Sequence, residues 1–244
     1  MPIEVGEEVV EQVRRLFSRM RDRVKVHFFI DPESECTYCT DIREILELLS
    51  SLTDKIVVEV HTKASEEAEK LAIPMYPAIV LHGEGREYNI RFFGIPAGYE
   101  FGALVEDILD VSLGEPRNLD PELAELLRKH VKRETQIIVF VTPTCPYCPR
   151  AVRAAHRYAM VSRLIYGDMV EAIEFSELAD KYSVYTVPKV IIRVDGEDKA
   201  EFVGAAPDEF FVAKILEAHG VPLPPDLEAL KESIGRYTRV SELE

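Results

Sequence analysis

The four cysteines of this 244-residue chain stand as two pairs, Cys36-Thr37-Tyr38-Cys39 and Cys145-Pro146-Tyr147-Cys148. Each pair follows an apolar run ("VKVHFFI" or "QIIVFV") and a turn containing Pro32 or Pro143, and each opens a helix-like segment. A sulfur in the first turn of a helix meets unpaired backbone N–H groups and the positive end of the helix dipole. Both favour thiolate over thiol and make the sulfur a nucleophile near neutral pH. A second cysteine three residues on can attack the mixed disulfide formed by the first, and that spacing suits the short Cα separation of a disulfide. The setting points to thiol–disulfide exchange. Two other chemistries use the same residues: four thiolates on one structural zinc ion, and inert core cysteines. The zinc reading must bring together pairs far apart in sequence, each leading into its own long helical pattern.

The elements that would hold these pairs repeat. Cys36 and Cys145 lie 109 residues apart; Pro77 follows Cys36 by 41 residues and Pro188 follows Cys145 by 43. Gly94 and Gly204 come 17 and 16 residues later, each trailed by a helical pattern. Four landmarks in one order at nearly equal spacing mark a duplication. Each half reads helix, strand, cysteine-bearing helix, strand, helix, proline-opened strand, strand, helix. The expected spans are 5–22, 24–30, 37–52, 55–61, 64–72, 78–82, 87–93 and 98–112 in the first half. In the second they are 120–133, 136–141, 146–163, 169–175, 176–182, 189–194, 199–203 and 207–219. Near-continuous apolar strands such as "KIVVEV" and "KVIIRV" suit a sheet covered by helices on both faces. The expectation is an α/β chain of two tandem units, 1–116 and 117–244, each a mixed sheet of about four strands flanked by helices. The Gly- and Pro-bearing stretch from Ser112 to Leu123 joins them, and a further helix follows Pro222.

A net charge of −15 with no basic block disfavours nucleic acid and anionic membranes as partners. No apolar run approaches the roughly 20 residues of a membrane helix, and the acidic N-terminus lacks a signal-peptide pattern, so a cytoplasmic location is expected. Two Asn and two Gln against 44 Asp and Glu give a thermophile-like balance. Intracellular disulfides are common in hyperthermophiles and rare elsewhere.

"CPYC" with "TVP" downstream, and "CTYC" with "YPAIV" downstream, each resemble a thioredoxin-fold domain of the glutaredoxin-like branch. Two such units in one chain resemble the protein disulfide oxidoreductases of hyperthermophilic archaea and bacteria, over about residues 5–220. The resemblance implies redox disulfides Cys36–Cys39 and Cys145–Cys148, with Cys36 and Cys145 attacking and Cys39 and Cys148 resolving. It implies cis peptide bonds before Pro77 and Pro188, where Tyr76 and Val187 offer backbone groups to an extended substrate; trans prolines at strand starts are the plainer reading. It implies oxidation, reduction or isomerisation of protein thiols and disulfides, with no metal or organic cofactor. A thioredoxin-reductase-like flavoenzyme and a peroxiredoxin are the further partners it suggests, through an electron relay like that of the tandem domain feeding alkyl hydroperoxide reductases. A zinc-stabilised or chaperone-like binding protein is the non-enzymatic rival.

Two departures stand out. The buried acid that thioredoxins carry six residues before the first cysteine is replaced by Ile30 and Val139, and Gly204 leads into Ala205, Ala206 and Pro207, which disfavours glutathione. The sites also differ in charge. Asp31, Glu33, Glu35 and Asp41 surround Cys36, whereas Arg150 and Arg153 follow Cys145, and Pro146 pre-sets the helical φ. Cys145 is thus expected to be the stronger nucleophile, with Cys36 as the slower or partner-facing site and transfer of electrons from it to Cys145 as one route. His27, His61 and His156 read as ordinary surface or boundary residues with no ligand-like spacing.

Overall fold

The computed structural model describes residues 6–238, so the first residue of the expected 5–22 helix, the start of the first expected unit and the end of the second lie outside the described residues. The order is α1 (Glu7–Phe17), β1 (Val24–Ile30), α2 (Cys39–Ser51), β2 (Ile56–Thr62), α3 (Glu66–Lys70), β3 (Ala78–Gly83), β4 (Arg86–Phe93) and α4 (Tyr99–Leu113). It continues with α5 (Pro121–His130), β5 (Thr135–Val141), α6 (Cys148–Val161), β6 (Ile165–Glu171), α7 (Ser176–Lys181), β7 (Lys189–Val194), β8 (Glu197–Val203), α8 (Asp208–Ala218) and α9 (Pro225–Thr238). α4 stops at Gly114, whose left-handed conformation offers its N–H to Asp110 and Val111. α5 starts at Asp120, which accepts the Glu122 N–H, with Pro121 in the first turn.

The eight strands form one sheet, in the order β2-β1-β3-β4-β6-β5-β7-β8. Each half contributes the same four-strand order, and the halves join where β4 pairs with β6 in parallel, Ile90 opposite Gly167 through Phe93 opposite Val170. β1, β2, β4, β5 and β6 therefore all run the same way. One face is covered by α2, α4, α6 and α8, which bury Leu46, Leu104, Val152 and Phe211 against Val26, Phe28, Ile137 and Val139. The other face is covered by the short α3 and α7, with Ala68 and Ala179 over Phe29 and Phe140. Helices on both faces explain why the inner strands read as unbroken apolar runs.

The expected strand at 169–175 lies four residues earlier, at Ile165–Glu171. Its sequence "IYGDMVE" carries Gly167 and Asp168, a turn pair by local chemistry, yet both serve the sheet. A Cβ on Gly167 would come within 2.7 Å of the Ala155 carbonyl, so only glycine admits α6 this close. Asp168 is fully buried and takes a two-pronged ion pair from Arg91 on β4, Nε at 2.6 Å and Nη2 at 2.7 Å. Gln136 Nε2 donates to the same carboxylate at 2.6 Å, and the Arg91 guanidinium lies 4.6 Å from the Tyr166 ring centroid. The expected 5–22 helix likewise ends early, at Phe17, and the chain beyond it is held by Lys55 Nζ on the Met20 carbonyl.

A second polar layer crosses the same seam between α4 and α6. Arg153 pairs with Asp107 and, at 2.6 Å, with Asp110; His156 Nδ1 lies 2.6 Å from Asp107 and its Nε2 is 3.3 Å from the Arg91 carbonyl. His156 is fully buried, which corrects its reading as a surface residue. Burial opposes charge on Asp107, but Arg153 and His156 hold its carboxyl below the usual range. Removing one partner of a buried pair leaves the other charge stranded, at a cost of about 3–5 kcal/mol. Asp168→Ala is therefore expected to lose stability on that order in chemical denaturation, and the matched Arg91→Met/Asp168→Leu double variant to lose clearly less. Equal losses in both would show that the guanidinium finds other partners.

Candidate redox sites

Because β1 and β5 run in parallel, the two cysteine loops leave the same edge of the sheet. Three strands stand between them, so at about 4.8 Å per step roughly 19 Å of sheet separates the sites. In each, the second cysteine is the first residue of a helix, after Tyr38 or Tyr147. Both pairs are closed as disulfides, with Cα atoms 5.5 Å apart for Cys36–Cys39 and 5.6 Å for Cys145–Cys148. The separations lie in the ordinary range for a bridge within one helical turn.

The Tyr76–Pro77 and Val187–Pro188 bonds are both cis, and each proline's carbonyl accepts an N–H from the glycine after the next strand: Gly94 at 3.1 Å and Gly204 at 2.8 Å. At the second site the Cys145 sulfur lies 3.8 Å from the Val187 carbonyl and accepts the Cys148 N–H at 3.2 Å. Cys145, Cys148, Val187 and Pro188 are thus brought together. At the first site Tyr76 is tied to the Cys36 loop through Lys63, whose Nζ is 6.0 Å from the Tyr76 ring centroid and 2.9 Å from Asp31.

The sites differ in exposure. Cys145 is 8% exposed and Cys148 fully buried, whereas Cys36 and Cys39 are more open to solvent. The segments that lead to this site carry exposed apolar side chains: Tyr147 beside Cys148 in sequence, Tyr185 (92% exposed) three residues before Pro188, Ile173 just past β6, and Tyr99, whose N–H bonds the Pro143 carbonyl. No backbone N–H is bonded to the Cys36 sulfur among the described residues.

Two of the six charges expected to rank the sites are spent elsewhere. The Lys63 ammonium, then the Glu33 N–H, holds the Asp31 carboxyl below its usual range, so this acid is neutralised. Arg153 is committed to Asp107 and Asp110. What favours a Cys145 thiolate is the Cys148 N–H at the helix start.

Sequence reasoning missed Glu100. It sits in the first turn of α4, just after Tyr99, whose N–H bonds the Pro143 carbonyl in the Cys145 loop at 3.1 Å. Gly98 has φ +60° and a Cβ there would lie 2.2 Å from the Pro143 oxygen, so glycine makes this approach possible. The Glu100 side chain is buried, and neither carboxylate oxygen has a hydrogen-bond partner among the described residues. No motif flags it, because an acid in the first turn of a helix is ordinary. The segment before it reaches the other site, with Ile95 N–H bonded to Glu174 Oε1 at 2.5 Å and Gly94 N–H to the Pro77 carbonyl.

The histidines depart from expectation. His27 is buried on β1 beside His61 on β2, their Nδ1 and Nε2 atoms 3.0 Å apart, with Glu59 next to both.

A thioredoxin domain model matches residues 135–217. The chain is similar to a protein disulfide oxidoreductase from Aeropyrum pernix, at TM-score 0.77 and 29% identity over 91% of this chain and 97% of that one. It is also similar to the alkylhydroperoxide reductase component AhpF from Enterococcus faecalis, at TM-score 0.75 and 27% identity over 86% of this chain and 98% of that one. Among curated proteins, the same component of alkyl hydroperoxide reductase in Xanthomonas campestris is 25% identical over 182 residues, 75% of this chain. The chain spans about a third of the length of that relative, 32%. No helix among the described residues is long and apolar enough to cross a membrane.

Burial, and then Asp107, pushes the Glu100 carboxyl up to about 8 from its ordinary 4.5. At neutral pH the folded chain keeps a proton on Glu100 that the unfolded chain releases. Stability from this group is whole below pH 4.5 and is lost as pH rises through about 8. Glu100→Gln is therefore expected to match the parent at pH 5 and to exceed it by on the order of 2–4 kcal/mol at pH 9, read from denaturant midpoints. Curves that stay parallel across pH would mean that Glu100 ionises freely.

Proposed function

We propose that this tandem thioredoxin-fold homologue of the protein disulfide oxidoreductases catalyses reversible thiol–disulfide exchange on protein substrates, with the Cys145–Cys148 pair as its principal site. The observation that carries the reading is the Cys145 sulfur at the mouth of α6, bonded by the Cys148 N–H and lying 3.8 Å from the Val187 carbonyl. In the reducing direction the Cys145 thiolate attacks one sulfur of a substrate disulfide, forming a mixed disulfide and releasing one substrate thiolate. Cys148, losing its proton, then attacks the Cys145 sulfur, closes the protein disulfide and releases the second substrate thiolate. Two electrons pass to the substrate, and the reverse sequence oxidises a dithiol. Cys36 and Cys39 repeat this chemistry at the more open site.

The cis segments supply the binding edge. Tyr76-Pro77 and Val187-Pro188 each lie before an inner strand, with backbone groups that suit an extended peptide. Tyr147, Tyr185, Tyr99 and Ile173 make an apolar rim at the second site that suits such a chain. Glu100, buried next to Tyr99, whose N–H bonds the Cys145 loop at Pro143, is the reading we favour for the proton carrier in place of the acid missing at Val139. The exchange uses the thiols themselves and no organic cofactor, and the working compartment is the cytoplasm.

A second reading is an electron relay, favoured by the likeness to the AhpF component of alkylhydroperoxide reductase over 86% of the chain. A thioredoxin-reductase-like flavoenzyme would load one pair, and a peroxiredoxin would draw from it. Direct transfer from Cys36 to Cys145 does not fit roughly 19 Å of intervening sheet, so each pair would meet its partners separately.

The test is insulin reduction with dithiothreitol by two single-site variants. Cys145→Ser/Cys148→Ser is expected to lose roughly tenfold or more of the activity, and Cys36→Ser/Cys39→Ser less than about threefold. Alkylation against pH should give Cys145 the lower pKa. Stoichiometric metal held by the cysteines of the reduced protein, or inactivity of both parent sites, would overturn the proposal.

A further inference from the structure

The outer face of the first half carries a cluster that thiol chemistry does not use. His27 on β1 faces Glu59 directly across the parallel pair, and His61 lies two residues further along β2 on the same face. Their donor atoms converge: His27 Nδ1 to His61 Nε2 is 3.0 Å, His27 Nδ1 to Glu59 Oε2 is 3.6 Å, and His61 Nε2 to Glu59 Oε2 is 3.7 Å. The nearest point equidistant from these three atoms lies in their plane about 2.0 Å from each, and a displacement of roughly 0.6 Å out of that plane, as a tetrahedral ion needs, lengthens this to about 2.1 Å, within the range of zinc–nitrogen and zinc–carboxylate distances. Three protein ligands are therefore in place.

The surroundings fix the rings as a ligand set requires. Phe29 stacks on His61, with ring centroids 4.9 Å apart, and His82 meets the His27 ring edge-on at 4.9 Å. Lys25 Nζ takes the other Glu59 oxygen, Oε1, at 3.0 Å and so leaves Oε2 turned toward the imidazoles. A cleft of about 520 Å³, lined by Lys25, Val57, Glu67 and His82, lies against the buried His27.

We propose that His27, Glu59 and His61 form a binding site for a zinc-type divalent transition metal, with water as the fourth ligand, that clips the edge strand β2 to β1. Imidazole and carboxylate donors with one open position suit zinc, and cobalt(II) reports the same geometry. The site is independent of the redox chemistry, since its three ligands lie outside both cysteine pairs.

The experiment uses the full chain with both disulfides closed, so that no thiol can ligate. Purified protein is stripped with chelator and titrated with zinc chloride followed by calorimetry, and separately with cobalt(II) followed by visible absorption. About one zinc per chain is expected, with cobalt bands of a tetrahedral nitrogen–oxygen site and no sulfur-to-cobalt charge transfer. His61→Ala and the gentler His61→Asn should each weaken zinc affinity by about 100-fold or more, while His130→Ala, at the end of α5 and outside the cluster, binds as the parent does. Insulin reduction by the His61 variants should equal that of the parent. Absence of zinc uptake by the oxidised parent, or uptake unchanged in both His61 variants, overturns the site. Since the exchange assay is read separately, failure here leaves the redox reading standing, and the converse holds.

Discussion

The structure depends on one contact, the parallel pairing of β4 with β6 and the buried Arg91–Asp168 pair that crosses it. Taking both charges out of water costs several kcal/mol each, and only the two-pronged geometry with Gln136 as a further donor offsets it. A misregistered seam would strand both ions, so the pair disfavours alternatives more than it adds stability. That register carries β1 and β5 to a common direction and hence both cysteine loops to one edge. Along the same seam the segment Gly94 to Tyr99 bonds the Pro77 carbonyl at one end and the Pro143 carbonyl at the other. The two sites are thus coupled through backbone, though their sulfurs are too far apart to exchange directly.

Local signals made much of this legible in the sequence. The duplication, both cysteine pairs, the strand-opening prolines and the two-sided cover of the sheet are written in short spacings and apolar runs. What escaped was long-range and polar. Asp168 inside "YGDMV" looks like a turn residue until Arg91, 77 positions earlier, supplies its counter-charge, and the β6 boundary slipped for that reason. His156 looked superficial because nothing nearby in sequence tells that Asp107 will meet it. Glu100 carries no motif, and its neighbour Tyr99 meets the Cys145 loop through Pro143, 44 positions away in the chain.

The comparison of the two redox sites shows which electrostatic terms survive folding. Charges near a thiol in sequence are poor guides, since Asp31 is neutralised by Lys63 and Arg153 by Asp107 and Asp110. Exposed charges that remain are screened over a Debye length of about 8 Å at physiological salt. A backbone N–H 3.2 Å from the Cys145 sulfur is fixed by the helix and excluded from bulk water, so neither salt nor side-chain motion weakens it. Burial of Cys145 pushes the other way, by penalising the thiolate. Depth and donor therefore act in opposite senses on one sulfur: burial penalises its thiolate and limits access to it, and the backbone N–H stabilises it.

Duplication also lets one register position be read twice. The fourth pair of β1 with β2 is His27 opposite Glu59, and the fourth pair of β5 with β6 is Ile138 opposite Asp168. In the second half this carboxylate faces a neighbouring strand, β4, which supplies Arg91 and closes the pair away from water. In the first half β2 is the sheet edge, no further strand arrives among the described residues, and Glu59 turns instead to Lys25, His27 and His61. The sixth pair diverges with it, as His61 stands where the second half has the buried Val170. An acid at this position needs a counter-charge in either setting. The seam provides a guanidinium, and the edge provides the Lys25 ammonium, which leaves the second carboxylate oxygen to converge with two imidazoles on one point.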